Sequence, residues 1–170
     1  MLGLNRYSVR VDDSDPAWVS EYEKTAALIR SVTPNIELQL QHVGSTSIPG
    51  LAAKPIIDVG ILLTHRDSFE DLCAALTSIG LIYRGDKGPP GELFIREPER
   101  DFRTHHIHVY FAGDPNWEKC LTFRDRLRAS AQLRDEYESL KRKLAAQHRD
   151  DRMAYTDAKT EFVNRVLSDH

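Results

Sequence analysis

Hydrophobic residues recur along the chain at two spacings, and each spacing predicts one type of element. A period of three to four residues predicts a first helix that begins at Asp15 as its N-cap and ends at Pro34. The same period between Asp67 and Gly80, with the glycine as stop signal, predicts a second helix. From Asp114 onward the helical period returns, which predicts a helical C-terminal part.

Strand-like patterns occupy the remainder of the first two thirds of the chain. The predicted strands cover residues 37–43, 55–63, 81–84, 92–96 and 105–111. The second of these is almost continuously apolar, which is typical of a buried central strand, and Asp58 is the one charge that interrupts it. A short cluster of Pro and Gly between Gly85 and Gly91 predicts a loop.

Strands flanked by helices in mixed order predict an α+β or α/β sheet covered by helices. We expect one domain over residues 1–170, with a sheet core at about 15–111 and a helical part at about 114–168. A chain of this length buries roughly 70% of the surface that its unfolded form exposes. With 41% hydrophobic residues, it needs no metal or disulfide to form a core.

The charge balance restricts the class of ligand. Lys and Arg number 23 against 26 Asp and Glu, which gives a net charge of −3 with His neutral. Such a chain has no broad positive field to attract nucleic acid or an anionic membrane, so binding of phosphate must be local. No apolar run approaches the ~18 residues of a transmembrane helix, and the N-terminus lacks the order of a secretory signal, so we expect a cytoplasmic location.

The segment that joins the first two predicted strands carries the most informative motif. Gly44 is followed by three hydroxyl residues, namely Ser45, Thr46 and Ser47. A turn of this kind after a strand can present backbone N–H groups and hydroxyls to a phosphate. The alternative is an ordinary turn rich in Gly and Ser, which has the same composition.

Asp58 is a second candidate, because a carboxylate in so apolar a strand is costly to bury unless it is paired or bound to a cation. Period-two alternation places Asp58 and Gly60 on one face of the strand, next to the Gly44–Ser45 turn. There Asp58 could hold a divalent metal ion. The alternative is a salt bridge to Lys54 or Arg103, which are also candidates for phosphate binding.

Two histidines form a third candidate group. Alternation along residues 105–111 places His106 and His108 on one face and His105 on the other. Two imidazoles at this spacing can share a metal ion or act as acid and base, and His42, just before the turn, could join them. The alternative is a structural role in hydrogen bonds.

The segments HVGSTSIPGLAAKPIIDVGILL, RTHHIHVY, FRDRLR and AYTDAKTEF resemble the GrpB family. This resemblance extends over about residues 18–162. The family belongs to the nucleotidyltransferase superfamily, whose catalytic fold is that of DNA polymerase beta, and its domain also occurs fused to dephospho-CoA kinase. The resemblance implies an α+β fold with a mixed sheet, helices packed against it and a helical C-terminal extension.

In active members of that superfamily a Gly-Ser pair holds the triphosphate, and three carboxylates bind two divalent ions. By resemblance, Gly44 and Ser45 match the pair and Asp58 matches the first carboxylate. Gly60 stands where the second carboxylate is expected, and His106 and His108 replace an acid on the later strand. Mg²⁺ or Mn²⁺ is the cofactor that the superfamily implies, whereas ligation by histidine favours a single transition metal ion such as Zn²⁺.

Two functions therefore compete. The first is metal-assisted transfer of a nucleoside monophosphate to a small acceptor, with Asp58, His106 and His108 as catalytic or metal-binding residues. The second is a module that binds a nucleotide or a CoA-like ligand but has lost two-metal chemistry. In both cases we expect a small phosphorylated ligand and neither nucleic acid nor membrane as partner. The C-terminal helices allow a homodimer, although packing on the sheet explains their apolar faces more simply.

Overall fold

The computed structural model of the protein describes residues 1–85, 91–149 and 151–168, without the side chain of Arg152. Its strands are β1 (Leu4–Asn5), β2 (Leu38–Val43), β3 (Ile57–Leu63), β4 (Ile82–Gly85), β5 (Glu92–Arg96), β6 (Phe102–Arg103) and β7 (His105–Phe111). Its helices are α1 (Ala17–Val32), α2 (Phe69–Ser78), α3 (Pro115–Ala129), α4 (Ala131–Gln147), α5 (Arg152–Asp157) and α6 (Thr160–Ser168).

One mixed sheet dominates the fold. Its strand order is β2-β3-β7-β5-β4, with β3 and β7 parallel and the other neighbours antiparallel. A small antiparallel sheet pairs β1 with β6. Helices flank the main sheet, so the α+β prediction is confirmed. In the part of the chain described, no helix is long and apolar enough to span a membrane.

The hydrophobic core lies on the sheet face that α1 and α2 cover. Ile57, Val59 and Ile61 of β3 have no exposed surface, and neither do Ile107 and Val109 of β7. These side chains form one cluster with residues of both helices. The alternation predicted for the two strands is confirmed, because Asp58, His106 and His108 lie on the opposite face of the sheet.

The C-terminal helices pack on that opposite side and on the segment after β2. Trp117 of α3 is buried against Gly60, since a Cβ at this glycine would lie 3.0 Å from Trp117 Cζ3. A second cluster joins Ile48 and Leu51 to buried residues of α3, α4 and α6, with Tyr137 and Phe162 stacked at 4.9 Å between ring centroids. The apolar faces of these helices are thus used within the chain, and a homodimer stays a prediction.

Element boundaries differ from the predictions by a few residues for local reasons. The first helix begins at Ala17, whose N–H donates to Asp15 Oδ1 at 2.9 Å. The second helix follows a 3₁₀ turn at Arg66–Ser68 and therefore begins at Phe69. The loop predicted between Gly85 and Gly91 falls on residues 86–90, which lie outside the described residues.

Candidate functional site

The candidate phosphate turn begins where β2 ends. Gly44 has φ 68°, a conformation that favours glycine, and a Cβ at this position would lie 2.5 Å from Asp58 Oδ2. A 3₁₀ turn over Ser45–Ser47 follows. Both the backbone conformation and the close approach of Asp58 therefore require glycine. The turn thus lies directly beside the Asp58 carboxylate.

The hydroxyl groups of this turn have different surroundings. Thr46 is buried, and its Oγ1 lies 3.1 Å from His42 Nε2 and donates to the carbonyl of Ile56. Ser47 is buried as well, and its hydroxyl donates to the carbonyl of Gly44 at 2.6 Å. Ser45 is half-buried and bonds to the side chain of Tyr137. Of the three hydroxyls predicted to bind phosphate, Ser45 is therefore the most exposed, while Thr46 and Ser47 stabilise the turn.

Two arginines of α3 hold the backbone of this region. Arg124 Nη1 donates to the carbonyl of His42 at 3.0 Å, and Arg128 Nη2 donates to the carbonyl of Ser47 at 2.7 Å. Each guanidinium also contacts Asp125. The positive charges of α3 therefore hold the end of β2 and the turn through their carbonyl oxygens.

Asp58, His106 and His108 converge on the sheet face away from the main core. Strands β3 and β7 are parallel and pair Asp58 with His106 and Gly60 with His108, so the three side chains are neighbours. Asp58 Oδ1 lies 3.4 Å from His106 Nδ1 and 3.1 Å from His108 Nε2. One ligand atom from each residue lies within 4.8 Å of the other two. We call this group the Asp–His cluster.

The electrostatics of the cluster favour an ionised carboxylate. Burial raises the pKa of Asp58, but hydrogen bonds and positive charge from the two imidazoles outweigh that effect and hold the pKa well below its usual range. Asp58 is thus a carboxylate anion at neutral pH. The sequence allowed a salt bridge between Asp58 and Arg103 as the alternative. In the structure Arg103 pairs with Glu97 instead, with 3.4 Å between Arg103 Nε and Glu97 Oε2.

His42 does not belong to the Asp–His cluster, so the prediction of a fourth metal ligand is wrong. The antiparallel register pairs His42 with Val59, and these residues face the main core while Asp58 faces away. The ring stacks on Tyr22 of α1 with 4.6 Å between centroids and an interplanar angle of 5°. Burial lowers the pKa of His42 to about 4, which keeps this structural imidazole neutral.

Lys54 and Arg103, the other predicted phosphate ligands, lie in different surroundings. Arg103 belongs to the small sheet and is buried beside Glu97. Lys54 lies between the turn and β3, with its Nζ 4.0 Å from the ring centroid of Tyr155 in α5. The structure therefore engages Arg103 in an ion pair and places Lys54 in a group that the sequence did not reveal.

That group, the lysine–tyrosine cluster, consists of Lys54, Lys141, Lys159, Tyr137 and Tyr155. Tyr155 has the ammonium groups of both Lys54 and Lys159 over its ring, the latter at 4.4 Å. Lys141 Nζ lies 4.6 Å from the ring centroid of Tyr137. Because the Tyr137 side chain is hydrogen-bonded to Ser45, this positive group adjoins the candidate phosphate turn.

Lys141 is the most unusual member of the lysine–tyrosine cluster. Only 2% of its surface is exposed, and its ammonium donates to the carbonyl of Ala52. Burial lowers its pKa to about 7, and the charge of Lys159 contributes to the shift. A signal was present in the sequence, because Lys141 occupies the same helical stripe as the apolar positions Tyr137 and Leu144.

Two Mg²⁺ ions, which the nucleotidyltransferase fold implies, do not fit these residues. A pair of ions ~3.5–4 Å apart requires several carboxylates to offset their repulsion. Any side chain at position 60 would begin 3.0 Å from Trp117 and 3.2 Å from Val43, so the second carboxylate has no room. The two other donors of the cluster are imidazole nitrogens, which Mg²⁺ binds poorly.

Known proteins similar to this chain share both sequence and fold. A UPF0157 protein of Streptomyces coelicolor is 36% identical over 98% of this chain and 86% of its own length. The crystal structure of the conserved protein GrpB from Enterococcus faecalis has a TM-score of 0.83 and 31% identity, covering 93% of this chain and 94% of that one.

More distant similarities place the fold in a wider group. A structure of the Cid1 poly(U) polymerase with Mg 3′-dATP bound has a TM-score of 0.57 at 11% identity over 87% of this chain and 49% of that one, which shows a nucleotidyltransferase-like fold alone. A dephospho-CoA kinase of Mycobacterium leprae is 25% identical over 88% of this chain and 43% of its own length. The family model described as GrpB protein matches residues 8–169. This chain therefore belongs to the GrpB family.

Proposed function

We propose that the protein binds a small phosphorylated ligand, of the nucleotide or CoA class, between the Gly44–Ser45 turn and the lysine–tyrosine cluster. The observation that carries this proposal is the gathering of three ammonium groups around two tyrosine rings next to Ser45. Like charges at this range repel one another, and Lys159 already lowers the pKa of Lys141. A bound phosphate offsets that repulsion.

The buried ammonium of Lys141 supports the proposal. Its bond to the Ala52 carbonyl uses one of three N–H donors, and the Tyr137 ring accepts a cation–π contact. Since burial disfavours the charged form, an anion that restores the charge gains a strong, charge-assisted hydrogen bond. The alternative role of Lys141 is structural, because Glu138 and Lys141 together hold the backbone of Ala52.

The size of the positive region favours a small ligand over a polymer. The chain as a whole carries a net charge of −3, so the lysine–tyrosine cluster is a local exception. A nucleic-acid surface requires a continuous basic stripe that neutralises many phosphates. One compact cluster suits the phosphates of a single nucleotide or cofactor.

Transfer of a nucleoside monophosphate is the second candidate, and one observation favours it. Asp58 directly adjoins the turn at Gly44, so an ionised carboxylate lies beside the position proposed for the phosphate. The loss of the second carboxylate at Gly60 removes support for a two-ion mechanism, and we therefore place binding first. Consumption of a nucleoside triphosphate that stops in Asp58→Ala would favour transfer over binding alone.

Isothermal titration of the protein with ADP, CoA and pyrophosphate in chelator-containing buffer tests the binding proposal without metal. We expect Lys159→Ala to weaken binding by about 10- to 100-fold, since a hydrogen bond to a charged group contributes ~1.5–3 kcal/mol. Lys143→Ala is the matched control, because Lys143 is exposed on the same helix as Lys141. Equal affinity in both variants, or no binding of any of the three ligands, would contradict the proposal.

A further inference from the structure

We propose that the Asp–His cluster is a site for one transition-metal ion, held by Asp58, His106 and His108. The distances between donor atoms support this. An ion with bonds of ~2.1 Å separates adjacent ligand atoms by about 3.0 Å in octahedral geometry and about 3.4 Å in tetrahedral geometry. The separations from Asp58 Oδ1 are 3.1 and 3.4 Å.

The donor set selects the class of metal. One carboxylate and two imidazoles form the ligand set of non-haem Fe(II) sites and of catalytic zinc sites, both of which leave positions open for other ligands. Mg²⁺ prefers an octahedral set of oxygen atoms, which this cluster does not supply. The site is therefore expected to prefer Zn²⁺, Co²⁺, Fe²⁺ or Mn²⁺ over Mg²⁺.

The rigidity of the cluster fits a preformed site. All three residues lie on the adjacent parallel strands β3 and β7, in register. The imidazole rings of His106 and His108 stand nearly perpendicular, at 82°, with their centroids 6.1 Å apart. Strands position ligands more precisely than loops do, so little rearrangement is needed for three donors to meet one ion.

The position of Trp117 limits the site to one ion. This buried ring fills the space beside Gly60, where a second carboxylate would otherwise project. An ion at the cluster would lie on the Oδ1 side of Asp58, toward β7, and would place positive charge next to a carboxylate whose Oδ2 faces the turn at Gly44. That charge would offset the repulsion between the carboxylate and a phosphate bound at the turn.

The competing explanation is that Asp58 only accepts hydrogen bonds from the two imidazoles. Titration calorimetry of chelator-treated, untagged protein with ZnCl₂, CoCl₂ and MgCl₂ separates the two explanations. We expect one ion per chain and affinity for Zn²⁺ or Co²⁺ about 100-fold or more above that for Mg²⁺. The visible spectrum of bound Co²⁺ reports its coordination number and its nitrogen ligands independently.

Variants assign the binding to the cluster. Asp58→Asn and His108→Gln are each expected to weaken Zn²⁺ binding by at least about 100-fold, since even partners of metal ligands cost 10- to 100-fold when removed. His65→Gln is the matched control because this exposed histidine lies outside the cluster and its loss also removes one imidazole. Circular dichroism establishes that each variant is folded.

A measurement on the unaltered chain covers the case in which the variants do not fold. Added Co²⁺ should broaden the imidazole ¹⁵N signals of His106 and His108 before those of His42 and His65. Absence of any metal binding, binding of two ions, a preference for Mg²⁺, or broadening that begins elsewhere would overturn the inference. These titrations contain no phosphorylated ligand, so their failure is distinct from failure of the proposed function.

Discussion

Replacing Lys141 by methionine tests the electrostatic reasoning about the lysine–tyrosine cluster most sharply. The pKa of this lysine falls from 10.5 to about 7 because its ammonium is almost completely buried. Each unit of pKa corresponds to 1.36 kcal/mol. At pH 7, where half of the folded lysine is charged, burial therefore costs about 4 kcal/mol relative to the unfolded chain.

The sign of the pH dependence follows from the two pKa values. Between pH 7 and 10.5 the unfolded chain binds more protons at this lysine than the folded chain does, so the free energy of unfolding rises with pH over that range. At pH 9.5 the remaining penalty is about 1 kcal/mol. Methionine removes the penalty at every pH but leaves the Ala52 carbonyl without its donor, at a cost of ~1–3 kcal/mol.

Urea unfolding of Lys141→Met and of the unaltered chain measures this directly. We expect the variant to be more stable than the unaltered chain by about 1–3 kcal/mol at pH 7, and to be less stable than it by up to about 2 kcal/mol at pH 9.5. Titrations of groups that do not interact with Lys141 cancel when the two proteins are compared. A stability difference that is the same at both pH values would refute the argument that Lys141 is a strained, partly neutral amine.

Three further substitutions test the geometry of the site. Gly60→Asp should lower the free energy of unfolding by ~2–4 kcal/mol, because its side chain meets the buried Trp117 and carries a charge into that space; a thermal melt equal to that of the unaltered chain would contradict this. Gly44→Ala should cost ~1–3 kcal/mol in urea unfolding, since alanine at φ 68° is strained and its Cβ approaches Asp58; an unchanged midpoint would be the opposite result. His42→Phe should leave the affinity for Zn²⁺ unchanged, because position 42 faces the main core; a large loss of affinity would restore His42 as a ligand.

The sequence correctly predicted which sheet face carries Asp58, His106 and His108, for a simple physical reason. Side chains alternate across a strand, so Asp58 was separated from its apolar neighbours, and His106 and His108 were separated from His105. The parallel pairing of β3 with β7, which brings the two groups together, could not be read from that alternation. It depends on strand order, which tertiary packing decides.

The wrong prediction that His42 is a metal ligand also arose because strand pairing cannot be read from alternation. Alternation within β2 places Val43 and His42 on opposite faces but does not say which face points toward Asp58. The antiparallel register with β3 pairs His42 with Val59, and that register depends on the length and shape of the turn at Gly44. A histidine two residues before the candidate phosphate turn can therefore lie on the far side of the sheet.

For Lys141, helical periodicity indicates burial of the side chain but not its neighbours in the folded chain. Its place on the apolar stripe of α4, between Tyr137 and Leu144, indicates burial, but a lysine there is also compatible with a side chain that extends to solvent. The interaction of the neighbouring Tyr137 with Ser45 depends on how α4 packs on the segment after β2. The short strands β1 and β6 were missed because two residues give no alternation to detect.

A crystal structure of the protein with ADP at millimolar concentration would show directly where the phosphates bind. We expect phosphate oxygens within ~3 Å of the Lys141 ammonium and of the Ser45 hydroxyl or the backbone N–H groups of the turn. Electron density for the phosphates at another surface, or a structure without bound nucleotide, would contradict the assignment of the Gly44–Ser45 turn and the lysine–tyrosine cluster as the phosphate site.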